Sequence, residues 1–255
     1  MALHVGDIVR EGARRTVGRN SLGLIGAFLL VRLASAVASE TLLRANRRVL
    51  TGLGGGGPAD ALAGVGGPTP LALALPLPAA LVLVAALAVL AEAVRIVAVR
   101  TLVRGATDRL PRAVLRRRIG WATLNGMIGG VVVGVLIAVG LVVLIAPGVF
   151  LAVVFLFVRG EVAVADKNVI DAMAGSWDLT SGHRVELLAL VLVLVAAGVA
   201  GALPSVVLGA VDPLLGALSG ALAGAVTTVF AVAVTARAYV QLRAARPHRE
   251  APDPA

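Results

Sequence analysis

Six apolar runs, each about as long as a bilayer's hydrocarbon core is thick, dominate the sequence between Leu22 and Val240. They cover residues 22–43, 71–103, 119–146, 148–165, 185–208 and 214–240, and most charged residues collect between them. A backbone inside hydrocarbon has no water to satisfy its N–H and C=O groups, so each run is expected to close its own hydrogen bonds as a helix. The expected fold class is all-α, a polytopic transmembrane helical bundle of about six spans with N-terminal and internal amphipathic surface helices. Composition excludes the soluble alternative: 59% of the 255 residues are hydrophobic and 15% are charged, whereas soluble domains carry about 25% charged residues.

The charges fix an expected orientation. If the N-terminus is cytoplasmic, eighteen of the 23 Lys and Arg residues fall on the cytoplasmic side. Only Arg44, Arg47 and Arg48 fall on the other side, and Arg32 and Arg95 lie deeper within spans; Arg100, Arg159 and Arg237, toward the cytoplasmic ends of theirs, are counted among the eighteen. Basic residues are retained on the cytoplasmic side of membrane proteins, so both termini are expected there, in the cell membrane. Trp121, Trp177 and Tyr239 then fall at the cytoplasmic interface, where amphipathic rings anchor. The basic balance of +9 thus reads as anionic headgroup binding at that face and not as nucleic-acid binding. The absence of cysteine excludes disulfides and thiolate chemistry.

Ahead of the first span, residues 3–19 mix Leu3, Val5, Ile8, Val9 and Val17 with four arginines, the pattern of a basic helix lying on an anionic surface. No small-residue cleavage site follows a short apolar core there, so no cleaved signal peptide is expected. Residues 44–70 include the run GLGGGGPADALAGVGGPTP, expected to be a mobile loop; it lacks the Lys-Ser or Lys-Thr of a phosphate-binding loop. Pro76 and Pro78 predict a kink or a re-entrant start to the second span. Gly126, Gly130 and Gly134 in the third span, and Gly216, Gly220 and Gly224 in the sixth, repeat every four residues and predict close helix packing. Residues 1–245 are expected to form a single membrane domain, with 246–255 a disordered tail.

The stretch PGVFLAVVFLFVRGEVAVADKNVIDAMAGSWDLTSGHR, residues 147–184, passes from apolar to amphipathic to polar without a break. Pro147 and Gly148 predict a tight helical hairpin between the third and fourth spans. Val169, Ile170, Met173 and Trp177 recur at helical spacing and predict a short surface helix with its Trp at headgroup level. Pro147, Gly148, Asp171, Ala172, Ser176, Trp177, Leu179, Thr180 and Gly182 together resemble the membrane domain associated with some glycerophosphodiester phosphodiesterases and related uncharacterised inner-membrane families. That resemblance implies a helical membrane domain of unassigned function and not the hydrolase chemistry, which in such proteins belongs to a separate soluble barrel. Asp171 stands where those families usually have Glu.

Candidate functional positions are the polar residues that membrane burial makes costly. Arg32 lies in the middle of the first span; Glu92 and Arg95, three apart in the second, are placed to pair on one face. Glu161 and Asp166 would bind a cation or serve the surface helix, with Asp166 or Asn168 as its N-cap. Ser176, Trp177 and Thr180 would contact headgroups or a partner, or else end that helix. His4, His183 and His248 are too scattered for a metal or a nucleophile–base pair, and no catalytic, cofactor or metal site is expected. Two readings follow. The first is a non-enzymatic membrane module that meets lipids, a partner membrane protein or a second copy; the second is a permease whose path uses Arg32, Glu92 and Arg95.

Overall fold

A computed structural model of the chain describes residues 5–16, 18–52, 70–104 and 118–245. The glycine-rich run, most of the 100–118 basic loop, His4, His248 and the 246–255 tail lie outside the described residues. The described residues are helical, with no strand among them: α1 (Val5–Thr16), α2 (Arg19–Gly52), α3 (Leu77–Val103), α4 (Ile119–Val143), α5 (Ile145–Val154), α6 (Val158–Ala165), α7 (Val169–Thr180), α8 (Arg184–Gly209) and α9 (Pro213–Ala245). Six segments are long and apolar enough to cross a membrane, with α5 and α6 together forming the fourth. The chain is a multi-pass membrane protein. Large side chains such as Val131, Leu203 and Val206 are exposed, as lipid-facing residues must be.

By contact the chain divides into two compact units. The first comprises residues 1–18, 96–194 and 230–255. Its core joins Ile8 of α1, Val153 and Phe157, Leu179 of α7, Leu187 and Leu190 of α8, and Val234, Ala238, Tyr239 and Leu242 of α9. Part of the apolar stripe of α1 is therefore taken up by protein: Ile8, Gly12 and Thr16 are buried, and a Cβ on Gly12 would run into Val234. Arg15 is drawn in with that stripe, donating to Leu102 O at 3.2 Å and to Glu11 Oε1 at 2.9 Å. The Arg15 hydrogen bond, ahead of every other cause, holds the Glu11 carboxyl below its ordinary range. Arg10 and Arg14 remain exposed.

The hairpin of this unit turns earlier than the Pro-Gly pair suggested. Leu144 is the extended residue, φ −157° and ψ 136°, and Pro147 sits in the first turn of α5, where its missing N–H costs nothing. The glycines set the closeness of approach: a Cβ on Gly140 would lie 2.8 Å from Gly148 Cα. The predicted glycine stripe of the third span is only partly used. Gly130 makes room for the Arg159 guanidinium, whereas Gly134 faces open space.

The second unit comprises residues 19–95 and 195–229. Here α2 runs on past the expected end of the first span, through Arg44, Arg47 and Arg48. The prolines before the second span do not kink a helix. Residues 72–76 are non-helical and α3 begins at Leu77, with Pro78 in its first turn. Side chains of α2 satisfy the non-helical backbone: Leu71 N donates to Glu40 Oε2 at 2.7 Å, Leu73 N to Thr41 Oγ1 at 2.9 Å, and Arg44 Nη1 to Ala72 O at 3.2 Å. The α8–α9 pair closes on glycines, with Gly216 against Gly209 and Gly220 against Ser205. Close packing was expected of this stripe, and at Gly224 the space goes instead to the guanidinium of Arg32.

Candidate functional site

Several polar residues of the 147–184 stretch are taken into the first unit, in neighbouring groups of contacts. The first group rests on a break in the fourth span. Phe155 and Phe157 leave helical geometry, so Val158 N bonds Phe155 O and leaves the Val154 carbonyl without its usual helical donor. Ser176 of α7 fills the gap from the side. Its hydroxyl donates to Val154 O at 2.7 Å and accepts from Phe157 N at 3.2 Å, fully buried.

This contact also sets which face of α7 is buried. The apolar spacing picks out Val169, Ile170, Met173 and Trp177 as the membrane-facing side, and the residues buried in protein are Ala172, Ser176, Leu179 and Thr180. Ile170 is 79% exposed and Trp177 42%. The physical reason is size and polarity together: small side chains let α7 lie close against the break, and only a hydroxyl can satisfy it. Thr180 turns its own hydroxyl inward, onto Trp177 O at 3.0 Å. Ser176→Ala is expected to cost about 1–3 kcal/mol, because a buried N–H and C=O lose a shared partner. Thermal unfolding in detergent checks it, with the exposed Ser181→Ala as a comparison expected to melt with wild type.

In the loop before α7 one of the two expected caps is used. Asn168 is the N-cap, accepting from Asp171 N at 2.9 Å. Asp166 is not; it ends α6 in the left-handed region at φ 52°, a conformation Asp tolerates better than most residues. There it meets Arg100 Nη2 at 3.3 Å, while Arg100 Nε donates to Ala163 O at 2.7 Å. A buried arginine thus caps the C-terminus of α6, where the carbonyl ends of the helix attract positive charge. Arg100 stands at the very end of an apolar run, and that position was the signal available in the sequence.

Glu161 is the centre of another of these groups. Its carboxylate is 3% exposed, and Oε1 accepts from the Tyr239 hydroxyl at 2.9 Å. Lys167 Nζ stands 2.5 Å from Oε2, and Arg243 Nε 3.6 Å from Oε1. Gly175 leaves room for this group, since a Cβ there would fall 2.8 Å from Oε2. Arg243 also lies 5.2 Å over the Tyr239 ring, which packs on Phe157 at 5.9 Å. Glu161 is thus paired with two cations of the chain itself. Among the described residues no three His, Cys, Asp or Glu side chains are grouped to hold a metal.

A family model described as "Domain of unknown function (DUF7847)" matches residues 3–242. The chain belongs to that family. No curated protein and no solved structure matches the sequence. Within the family match fall Ser176, Arg100, Asp166, Glu161, Lys167 and Tyr239, and Arg243 stands one residue beyond it.

Beside this cluster Arg184, the first residue of α8, lies 5.1 Å over the Phe150 ring and 5.2 Å over that of Trp177. The two rings meet edge to face at 5.9 Å. Trp177 is thus an exposed ring that carries a guanidinium, and no carboxylate among the described residues pairs with Arg184. The intramembrane candidates of the second unit are not joined into one group. Glu92 pairs with Arg95 at 3.3 Å, the carboxylate 7% exposed. Arg32 instead donates through Nη2 to Thr228 Oγ1 at 3.1 Å. Glu40 and Thr41, which hold the backbone before α3, were not singled out from the sequence; a polar pair inside the apolar end of the first span was their only signal.

Proposed function

We propose that the chain is a non-catalytic module of the cell membrane, with both termini cytoplasmic, whose basic face holds anionic lipid headgroups and presents them or itself to partner proteins. The observation that carries this reading is the charge imbalance around Glu161 and Arg184. Two cations share the one carboxylate of Glu161, and Arg184 rests on aromatic faces with no carboxylate of its own. A guanidinium held against Trp177, at the start of a membrane span, is preset to meet a phosphodiester with two parallel N–H bonds. A permease path through Arg32, Glu92 and Arg95 has less support, because Glu92 spends its charge on Arg95 and Arg32 turns to Thr228.

The test is lipid retention by the purified protein. Native mass spectrometry after exchange into equal phosphatidylglycerol and phosphatidylcholine is expected to show several-fold preference for the anionic lipid, reduced at least threefold by Arg184→Ala. Equal retention of the two lipids by wild type would remove the proposal.

A further inference from the structure

We propose that Arg32 is a docking residue, in the middle of the membrane, for a carboxylate carried by the transmembrane helix of a different protein. The inference stands apart from the headgroup reading and uses a different unit of the chain. Arg32 lies 13 residues after Arg19 and 12 before Arg44 on one continuous helix. At about 1.5 Å per residue it is some 18–20 Å from either charged end, deep in the hydrocarbon. Headgroup phosphates do not reach that depth.

Within its own unit the guanidinium is half-provided for. It lies across Gly224, whose missing side chain makes the space, and Nη2 donates to Thr228 Oγ1 at 3.1 Å. A threonine hydroxyl neutralises no charge, the residue is exposed, and no carboxylate among the described residues pairs with it. An exposed cation at mid-bilayer is retained where something complementary meets it.

A second copy cannot supply the complement from the described residues. In a parallel dimer every atom meets its equivalent depth, and the intramembrane carboxylates are spoken for. Glu92 is 7% exposed against Arg95, and Glu161 is 3% exposed in its cluster. Glu40 holds Leu71 N, and at eight residues from Arg32 it is about 12 Å away in depth. The complementary group therefore comes from another chain, as an Asp or Glu near the centre of an apolar helix.

The experiment uses a labelled polyleucine helix with one central Glu, co-reconstituted with the full-length protein in phosphatidylcholine bilayers, and reads energy transfer. Its controls are the same helix with Gln and with Leu at that position. The Glu helix is expected to associate about tenfold more tightly than the Leu helix, the size that intramembrane polar contacts reach in model peptides. Arg32→Gln is expected to erase the difference between the Glu and Gln helices, and Arg32→Lys to keep part of it, both variants being checked for wild-type melting. Equal association of the three helices, or a Glu preference that survives in Arg32→Gln, would overturn the proposal. So would an Arg32-dependent homodimer, or an Arg32-dependent small anion retained by the purified protein. Because the bilayer is zwitterionic, failure here leaves the headgroup reading untouched, and failure of lipid retention leaves this one untouched.

Discussion

Gly148→Ala is expected to be among the most damaging single-methyl changes at the described residues, lowering stability by about 3 kcal/mol or preventing accumulation of folded protein. A Cβ at Gly148 would lie 2.5 Å from Leu141 N and 2.5 Å from Leu141 Cγ. The leucine side chain can swing aside, but the backbone nitrogen of the facing helix cannot. Relief requires opening the α4–α5 hairpin, which also carries the approach of Gly140 to Gly148. Gly134→Ala, in α4 of the same hairpin, is expected to do the reverse. Nothing lies within 4 Å of the added methyl, so the gain in helix propensity, about 0.5–1 kcal/mol, stands alone. Unfolding of both variants in one detergent decides the matter. A Gly148→Ala protein that melts with wild type would mean that the two helices are not so closely paired.

That contrast also marks the limit of what the sequence could say about the fold. The six spans were legible because hydrocarbon imposes one requirement on every residue of a run, and twenty-residue apolar stretches have few alternatives. The hairpin between α4 and α5 was legible from Pro147 and Gly148, yet its turn sits at Leu144, since a proline begins a helix as readily as it ends one. The glycine repeats announced close packing but not which glycines would be used: Gly216 and Gly220 meet a neighbouring helix, Gly130 and Gly224 accommodate arginines, and Gly134 meets nothing. Only three-dimensional neighbours distinguish these. The α7 helix was legible on one side only, for a related reason. Periodicity finds the greasiest face, here Val169, Ile170, Met173 and Trp177, which reads as the membrane-facing one, and says nothing of the side that meets protein. That side carries Ala172, Leu179 and the hydroxyls of Ser176 and Thr180, with Ser176 placed where a broken span needs it. In the candidate site, Glu161 and Asp166 were recognisable as costly carboxylates, but their partners Arg100, Tyr239 and Arg243 lie 66, 78 and 82 positions away in sequence and carried no local sign of the pairing.

Glu161→Ala is expected to be the next most costly substitution, at about 2–4 kcal/mol. Removing one partner of a buried ion pair ordinarily costs about 3–5 kcal/mol, because the remaining charge stays buried. Here that term is reduced, since Lys167 and Arg243 are 34% and 44% exposed and can turn toward water or headgroups. Tyr239 cannot turn. It is 2% exposed, wedged between Phe157 and Gly160, and its hydroxyl would lose its acceptor, which adds about 1–3 kcal/mol. The order of effects separates this account from a general weakness of the region. Glu161→Ala should exceed Tyr239→Phe, at about 1 kcal/mol, and Tyr239→Phe should exceed Lys167→Ala, at well under 1 kcal/mol for a part-exposed ion pair. A double-mutant cycle between Glu161→Ala and Tyr239→Phe should return a coupling of about 1 kcal/mol, while the same cycle with Ser181→Ala, on an exposed turn, should return none. If Lys167→Ala proved as damaging as Glu161→Ala, the ion pair and not the buried hydrogen bond would be what secures α6 to its neighbours.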